Sequence, residues 1–220
     1  MSGGDSRTPI DDRIVAAYLE AKDAVIRGGF GAEIEWQASR DPADITESDF
    51  LREAAWVVLC SGFRESVVRQ RFREISSAFL EWVSASAITE QRSRCRQRAL
   101  RVFASMRKVD AIIDIARHVH VRGFRHIHDL FLSDPLSVIR TFPFMGAITS
   151  LHLAKNLGVP VVKPDRHLLR LAAAAGYSSP QDMCDQIAAR VGDKIAVVDL
   201  VMWRYATIER DYRALFRPAR

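Results

Sequence analysis

Residues 142 to 171 read FPFMGAITSLHLAKNLGVPVVKPDRHLLRL, and this stretch decides how the rest of the chain is interpreted. Pro143 and Gly146 mark a short turn, after which apolar residues recur at helical spacing. Gly158 ends that helix, and Asp165 follows a proline at the place where a second helix begins. The segment therefore predicts two helices, each entered through a turn, with a carboxylate at the start of the second.

This arrangement resembles the helix-hairpin-helix (HhH-GPD) superfamily of DNA glycosylases. Members carry a hairpin of the form Leu-Pro-Gly-apolar-Gly, followed by Thr or Ser, and later a segment Val-Asp-x-His-x-x-Arg-Val that contains the catalytic aspartate. The matching residues are Phe142, Pro143, Met145, Gly146 and Thr149 in the hairpin, and Asp165, His167, Arg170 and Leu171 in the aspartate segment. The resemblance implies that Asp165 is catalytic and that the hairpin binds DNA.

Three departures from the family pattern refine this expectation. Phe144 occupies the position of the first hairpin glycine, and Ile148 occupies the position of the lysine that forms a Schiff base in the lyase branch. The three cysteines, Cys60, Cys95 and Cys184, cannot supply the superfamily's four-cysteine iron-sulfur cluster. The resemblance therefore implies a monofunctional glycosylase, which hydrolyses the base from the sugar without lyase chemistry and without a cofactor.

The composition is that of a soluble globular protein. Of the 220 residues, 48% are hydrophobic and 27% charged, and no apolar run is long enough to cross a bilayer. The segment MSGGDSRTP at the N-terminus has no hydrophobic core, which favours a disordered lead-in over residues 1–10 and not a secretory signal. The cysteine usage fits a reducing compartment, and we expect a cytoplasmic, nucleoid-associated protein.

The net charge of +5 is carried mostly by arginine, which outnumbers lysine several-fold. Arginine favours bidentate contacts to phosphate. The arginines crowd two stretches: Arg92, Arg94, Arg96, Arg98 and Arg101 in the first, and Arg204, Arg210, Arg213, Arg217 and Arg220 in the second. Charge alone leaves two interpretations open, a nucleic-acid partner and an ordinary solvated face.

Apolar residues recur at helical spacing along most of the chain, and no segment alternates like a strand. The pattern predicts an all-α protein with helices at about 11–27, 48–60, 65–82, 92–105, 108–119, 124–132, 134–140, 147–157, 165–175 and 180–213, the last with a break near Gly192. Ser133 is the expected cap of the helix that contains Pro135, and Gly158 and Gly176 are expected to end two later helices.

The resemblance adds an expectation about domain organisation. It implies a single glycosylase-like fold over residues 11–220, built as a two-lobed helical bundle with a helix-hairpin-helix motif. A central lobe at about 48–160 would pack against a second lobe formed by 11–47 and 161–220, with an interlobe cleft.

Asp165 is the expected catalytic residue, because cleavage of a base from its sugar develops positive charge that a carboxylate stabilises. The same position suits a simple helix cap, since aspartate at a helix start commonly accepts backbone N–H groups. For DNA binding, the expected contacts are Phe144, Met145, Gly146 and Thr149 in the hairpin, together with Lys163 and His167 beside Asp165. A turn that merely joins two helices would have a similar sequence.

An enzyme that acts on a base inside a duplex must take it out of the stack and fill the gap. Phe63 and Arg64 follow an apolar helix at the place where the family carries its inserted side chain, although a core position for Phe63 fits equally well. Trp36 and Glu35 are the expected base-pocket residues, because an aromatic ring stacks on a base and a polar group reads its edge.

The sequence does not predict a metal site, since His118, His120, His126 and His128 form two His-x-His pairs whose members point apart on a helix. The resemblance thus implies a monomeric glycosylase that acts on double-stranded DNA carrying a modified base. Alkylated, oxidised, deaminated and bulky modified bases are all compatible substrates, in repair or in defence against foreign DNA. Two other classes stay open: a non-catalytic helix-hairpin-helix DNA-binding protein and a helical protein-interaction domain.

Overall fold

The structure is a computed structural model that describes residues 12–217. The predicted N-terminal lead-in, residues 1–10, and Arg220 lie outside the described residues. Within 12–217 the regular structure is helical throughout, which confirms the all-α prediction there. The α-helices are α1 (Asp12–Val25), α2 (Gly31–Ser39), α3 (Glu47–Cys60), α4 (Glu65–Ala78), α5 (Ala85–Glu90), α6 (Arg92–Val102), α7 (Met106–Arg122), α8 (Phe124–Ser133), α9 (Pro135–Arg140), α10 (Ala147–Asn156), α11 (Arg166–Ala175), α12 (Pro180–Val191) and α13 (Ile195–Ile208).

The chain divides into two compact units, and the first comprises residues 12–39 and 160–217. It contains α1, α2 and α11 to α13, with α1 and α13 packed along each other. Its core is formed by the apolar faces of these helices and includes Ile14, Tyr18, Val25, Leu168, Leu171, Met183, Ile187, Val198, Met202 and Phe216. This unit carries Asp165.

The second compact unit comprises residues 40–159 and contains α3 to α10. Its buried residues include Phe50, Val58, Val68, Ile75, Ile88, Ile112, Ile115, Ile127, Phe131 and Leu153. Gly158 ends the last helix of this unit with φ +89°, and a Cβ there would lie 3.0 Å from the Arg40 carbonyl. Both the backbone conformation and the close approach therefore require glycine. This unit carries the hairpin.

Most predicted helices are confirmed within a few residues, and the differences have local causes. Helix α1 ends at Val25 and is followed by a π-helical segment, Ile26–Phe30, in which Gly29 has φ 87°. The chain then forms α2, which the apolar pattern did not predict. The short helix α5 was also missed. Asp134 caps α9, so the prediction of Ser133 was wrong. The break near Gly192 is confirmed, and α13 ends at Ile208, five residues before the predicted end at 213.

Helix α4 ends at Ala78 and not at 82, because the next residues turn in the left-handed sense. Leu80, Glu81 and Trp82 have φ of 59°, 53° and 61°. Each such residue costs about 1–2 kcal/mol when it is not glycine. The Trp82 ring is buried, stacks on Phe79 at 5.0 Å and donates its N–H to Ser76. Burial of this indole offsets part of that cost.

None of the helices in residues 12–217 combines the length and the apolar character needed to span a bilayer. The two-lobed arrangement and the helix-hairpin-helix assignment stay predictions.

Candidate nucleic-acid interface and aspartate segment

Asp165 is the N-cap of α11. Its Oδ1 accepts the backbone N–H groups of His167 at 2.8 Å and Leu168 at 3.1 Å. Oδ2 accepts no hydrogen bond from any residue in 12–217, and the side chain is half-buried. The cap interpretation of Asp165 is therefore correct, and it uses only one of the two carboxylate oxygens.

Two side chains from later helices hold the segment that leads to Asp165. Asp199 of α13 accepts the Lys163 N–H at 2.8 Å, and Gln181 of α12 accepts the Val162 N–H at 2.9 Å. Because Lys163 precedes a proline, its backbone is also restricted to extended conformations. These constraints fix the direction in which the chain enters α11 and thereby the position of the Asp165 carboxylate.

His167 lies next to the Asp165 carboxylate and packs edge-on against Tyr212, with the ring centroids 5.6 Å apart. Burial lowers the pKa of His167, and the neighbouring Asp165 opposes this shift. Arg166 donates its Nε hydrogen to His167 Nε2, so the neutral ring carries its proton on Nδ1. In the described residues Nδ1 and the buried Tyr212 hydroxyl have no hydrogen-bond partner. The lowered pKa favours a neutral His167 ring at neutral pH, so the contact with DNA expected from the sequence would not be an ion pair.

The hairpin keeps a glycine-like backbone at the position where phenylalanine replaces glycine. Phe144 has φ 65°, in the left-handed region that favours glycine. The Thr149 hydroxyl donates to the Phe144 carbonyl at 2.6 Å and closes the turn. Met145 is buried with 4% of its surface exposed, so its side chain supports the hairpin from inside. The backbone at Phe144 therefore has a conformation that glycine would adopt with less strain.

The left-handed backbone at position 144 predicts that glycine is more stabilising there than alanine, the reverse of the usual order. We expect Phe144→Gly to be more stable than Phe144→Ala by about 1 kcal/mol, because alanine keeps the left-handed strain and glycine relieves it. Urea denaturation of both variants measures the difference. Phe63, which has no positive φ, provides the control: there the alanine variant should be at least as stable as the glycine variant. The same order at both positions would contradict a strained turn.

Helix α10 begins directly after the hairpin, and its first backbone N–H groups have no side-chain cap. Gly146, Ala147 and Ile148 are all exposed at this end of the helix. Uncapped N–H groups together with the helix dipole attract anions, and phosphate is the usual ligand. The N-terminus of α10 is accordingly a candidate contact for a DNA phosphate.

Lys108 lies between the hairpin and the turn at 61–64. This turn carries Phe63, a residue expected to insert between stacked bases. Its ammonium lies 5.2 Å from the ring centroid of Phe144 and 5.3 Å from that of Phe63. At these distances a cation attracts the face of each ring. The hairpin and the turn at 61–64 are therefore neighbours within the second unit and share one buried cation.

The same ammonium completes the C-terminus of α3. It donates to the carbonyl oxygens of Val58, Leu59 and Ser61, the last at 2.7 Å. Burial lowers the pKa of Lys108, and the charge of the nearby Cys60 side chain opposes that shift. A cation at this position also complements the helix dipole.

The sequence left two interpretations of Phe63 open, an inserted side chain and a core residue. The structure gives Phe63 features of both. One side of its ring packs on buried Phe103, with the centroids 5.0 Å apart, while 48% of the side chain is exposed. Arg64 is exposed and precedes α4, and Arg107 is exposed beside the Phe144 ring. An anchored, half-exposed ring flanked by arginines is suited to insertion between stacked bases.

The expected pocket residues lie on α2 in the first unit. Trp36 is half-buried and Glu35 is exposed. Their neighbour Glu33 forms a bidentate ion pair with buried Arg204, with an oxygen 2.7 Å from the guanidinium. The Arg204 guanidinium also lies 4.3 Å from the Phe30 ring centroid. This cluster fixes α2 against α13 and leaves the role of Trp36 and Glu35 a prediction.

Among residues 12–217, no three His, Cys, Asp or Glu side chains converge as metal ligands would. The histidines have other contacts instead: His128 bonds the Pro42 carbonyl at 2.8 Å, and His118 packs on Phe142.

Sequence reasoning missed the supporting residues of the site. Asp199 is a buried carboxylate in the apolar helix IAVVDLVMW, and Lys108 is a buried cation near the start of α7. Charged side chains are seldom buried without partners, so the acidic residue in that apolar run was the available signal. The partner of Asp199 is the backbone N–H of Lys163, 36 positions earlier, and nothing in the sequence around Lys163 indicated this bond.

Comparison with known proteins found no family model that matches this chain and no curated protein similar to it.

Proposed function

We propose that this protein is a monofunctional DNA glycosylase that binds duplex DNA, extrudes a modified base and hydrolyses its N-glycosidic bond. The observation that carries the proposal is the carboxylate of Asp165, which is fixed through Oδ1 and keeps Oδ2 without a hydrogen bond. The resemblance of the aspartate segment to the glycosylase pattern supports the same assignment.

In the proposed reaction the bond between the sugar C1′ and the base nitrogen breaks, and the base leaves with the bonding electrons. The Asp165 carboxylate stabilises the positive charge that develops on the sugar. Water then adds to C1′ and loses a proton, which leaves an abasic sugar and an intact strand. No covalent bond to the protein forms in this sequence.

The second unit offers features suited to the binding step. The open N-terminus of α10 suits a phosphate, and the anchored ring of Phe63 suits insertion at the vacated position. The proposal requires that this surface and Asp165 act on the same duplex.

Incubation of the purified protein with duplexes that each carry one modified base tests the proposal. We expect strand cleavage at one base class, and only after alkali, because Ile148 provides no amine at the lyase position. Borohydride trapping of a covalent complex would contradict the monofunctional assignment and would direct attention to the amine of Lys163. An absence of abasic product on every duplex would contradict glycosylase activity.

The second candidate function is a non-catalytic DNA-binding protein. It is favoured by one observation, that the cap of α11 already accounts for Asp165 in structural terms. It predicts salt-dependent duplex binding without abasic product.

A further inference from the structure

Two groups of arginines in the second unit differ in their partners. The first group pairs with carboxylates: Arg40 and Arg52 with Asp49, Arg69 with Glu65, Arg96 with Asp110, and Arg117 with Asp114. These pairs are what a solvated charged face ordinarily shows.

A second group lies on α4 and α6 and has no carboxylate partner in the described chain. We call Arg71, Arg94, Arg98 and Arg101 the arginine stripe. Arg71 donates to the Val102 carbonyl and Arg98 to the Ser77 hydroxyl, both neutral acceptors. Arg94 contacts only the side-chain oxygen of Gln91. The stripe therefore keeps its positive charge uncompensated by ion pairs.

The spacing along α6 places three of the four members of the stripe in a row. Arg94, Arg98 and Arg101 follow each other at i, i+4 and i+7, which lie on one side of a helix. From Arg94 to Arg101 the row extends about 10 Å along α6 at 1.5 Å per residue. This length equals about three base-pair steps of 3.4 Å measured along the duplex axis.

The stripe is connected through Val102 and Phe103 to Phe63, a residue expected to insert between stacked bases. Val102 and Phe103 follow Arg101 directly, and the Phe103 ring packs on Phe63. Arg71 of the stripe bonds to Val102 on the same stretch. The arginines are thus linked to the half-exposed ring through Val102 and the buried Phe103.

We infer that the arginine stripe is a second backbone-binding surface for duplex DNA, which engages about three phosphates of one strand beside the point of base extrusion. The inference deepens the proposed function and rests on it for the identity of the partner. Arginine suits this role because its guanidinium forms bidentate contacts to phosphate without reading sequence. The stripe supplies affinity, while Asp165 supplies chemistry.

The test is the salt dependence of duplex binding, measured by fluorescence anisotropy with an unmodified duplex. We expect the triple variant Arg94→Gln, Arg98→Gln, Arg101→Gln to flatten the slope of log K against log salt by about 2.7, at about 0.9 for each lost phosphate contact. The control is Arg117→Gln, Arg122→Gln, Arg125→Gln, which removes the same charge from the C-terminal part of α7 and the start of α8. The control should alter the slope by less than about 0.9, the contribution of one phosphate.

Two further variants separate charge from folding. Lysine at the three positions should keep most of the slope, because a phosphate contact requires a cation. Arg94→Gln alone, at an exposed position, should flatten the slope by about 0.9 if the triple variant proves unstable.

Equal slopes for the wild type and the triple variant, or failure of the wild type to bind any duplex, would overturn the inference. Equally strong competition by polyglutamate at the same charge would also overturn it, because the surface would then be a general polyanion site. A flattened slope in a protein that excises no base would sustain the stripe and reject the glycosylase proposal.

Discussion

Asp165→Asn should abolish base excision, with a rate loss of at least about 10²–10³-fold, and should leave the fold and duplex binding nearly unchanged. The structure explains why the two effects separate. Asparagine caps a helix about as well as aspartate, so its amide oxygen can still accept the N–H groups of His167 and Leu168. What disappears is the negative charge that stabilises the sugar in the proposed reaction. Single-turnover excision at saturating protein, together with urea denaturation, measures both consequences.

Two controls make this result specific to Asp165. Asp165→Ala removes the cap as well and should cost about 1 kcal/mol of stability in addition to activity. Asp134 caps α9 through the Ser137 N–H in the same manner, and Asp134→Asn should leave excision at the wild-type rate. If Asp165→Asn lost stability and binding together, the residue would be a structural cap only. The non-catalytic candidate function would then be preferred.

The helices could be predicted because their signals are local. Apolar spacing, Pro164 before Asp165, and the glycines after α10 and α11 each act within a few residues of the feature that they predict. The missed helices, α2 and α5, are nine and six residues long and have too few turns to show a clear period. The left-handed turn at 80–82 was missed because its stabilisation comes from burial of Trp82 and not from a turn sequence.

For the same reason, the local features of the candidate site could be predicted and its long-range contacts could not. The cap at Asp165 is a local feature, and so is the turn at Gly146. The contacts that orient these groups are long-range: Asp199 meets Lys163 across 36 positions, and Lys108 reaches Val58 across 50. A single sequence contains no signal that pairs such residues. Charge in an apolar helix indicates that a partner exists but does not identify it.

Lys108→Met should lower the free energy of unfolding by about 2–4 kcal/mol, because it leaves buried carbonyl oxygens without donors. The last four carbonyls of α3 are all satisfied: Val57 by the Ser61 N–H, Cys60 by the Phe63 N–H, and Val58 and Leu59 by Lys108. Methionine fills the space but donates nothing. The end of α3 and the following turn would therefore loosen. Urea denaturation measures the loss.

Loosening of this turn should also weaken DNA binding, and the adjacent cation provides the comparison. Arg107 lies next to Lys108, is exposed and contacts the same Phe144 ring, so Arg107→Met removes an equal charge. We expect that control to change stability by less than about 0.5 kcal/mol, as surface substitutions usually do. If the two variants lost equal stability, the carbonyls at the end of α3 would not depend on the ammonium. The alternative outcome is that only Lys108→Met is destabilised and that it also releases duplexes with an abasic site more readily. The Lys108 ammonium would then be the group that holds the Phe63 ring in position for insertion.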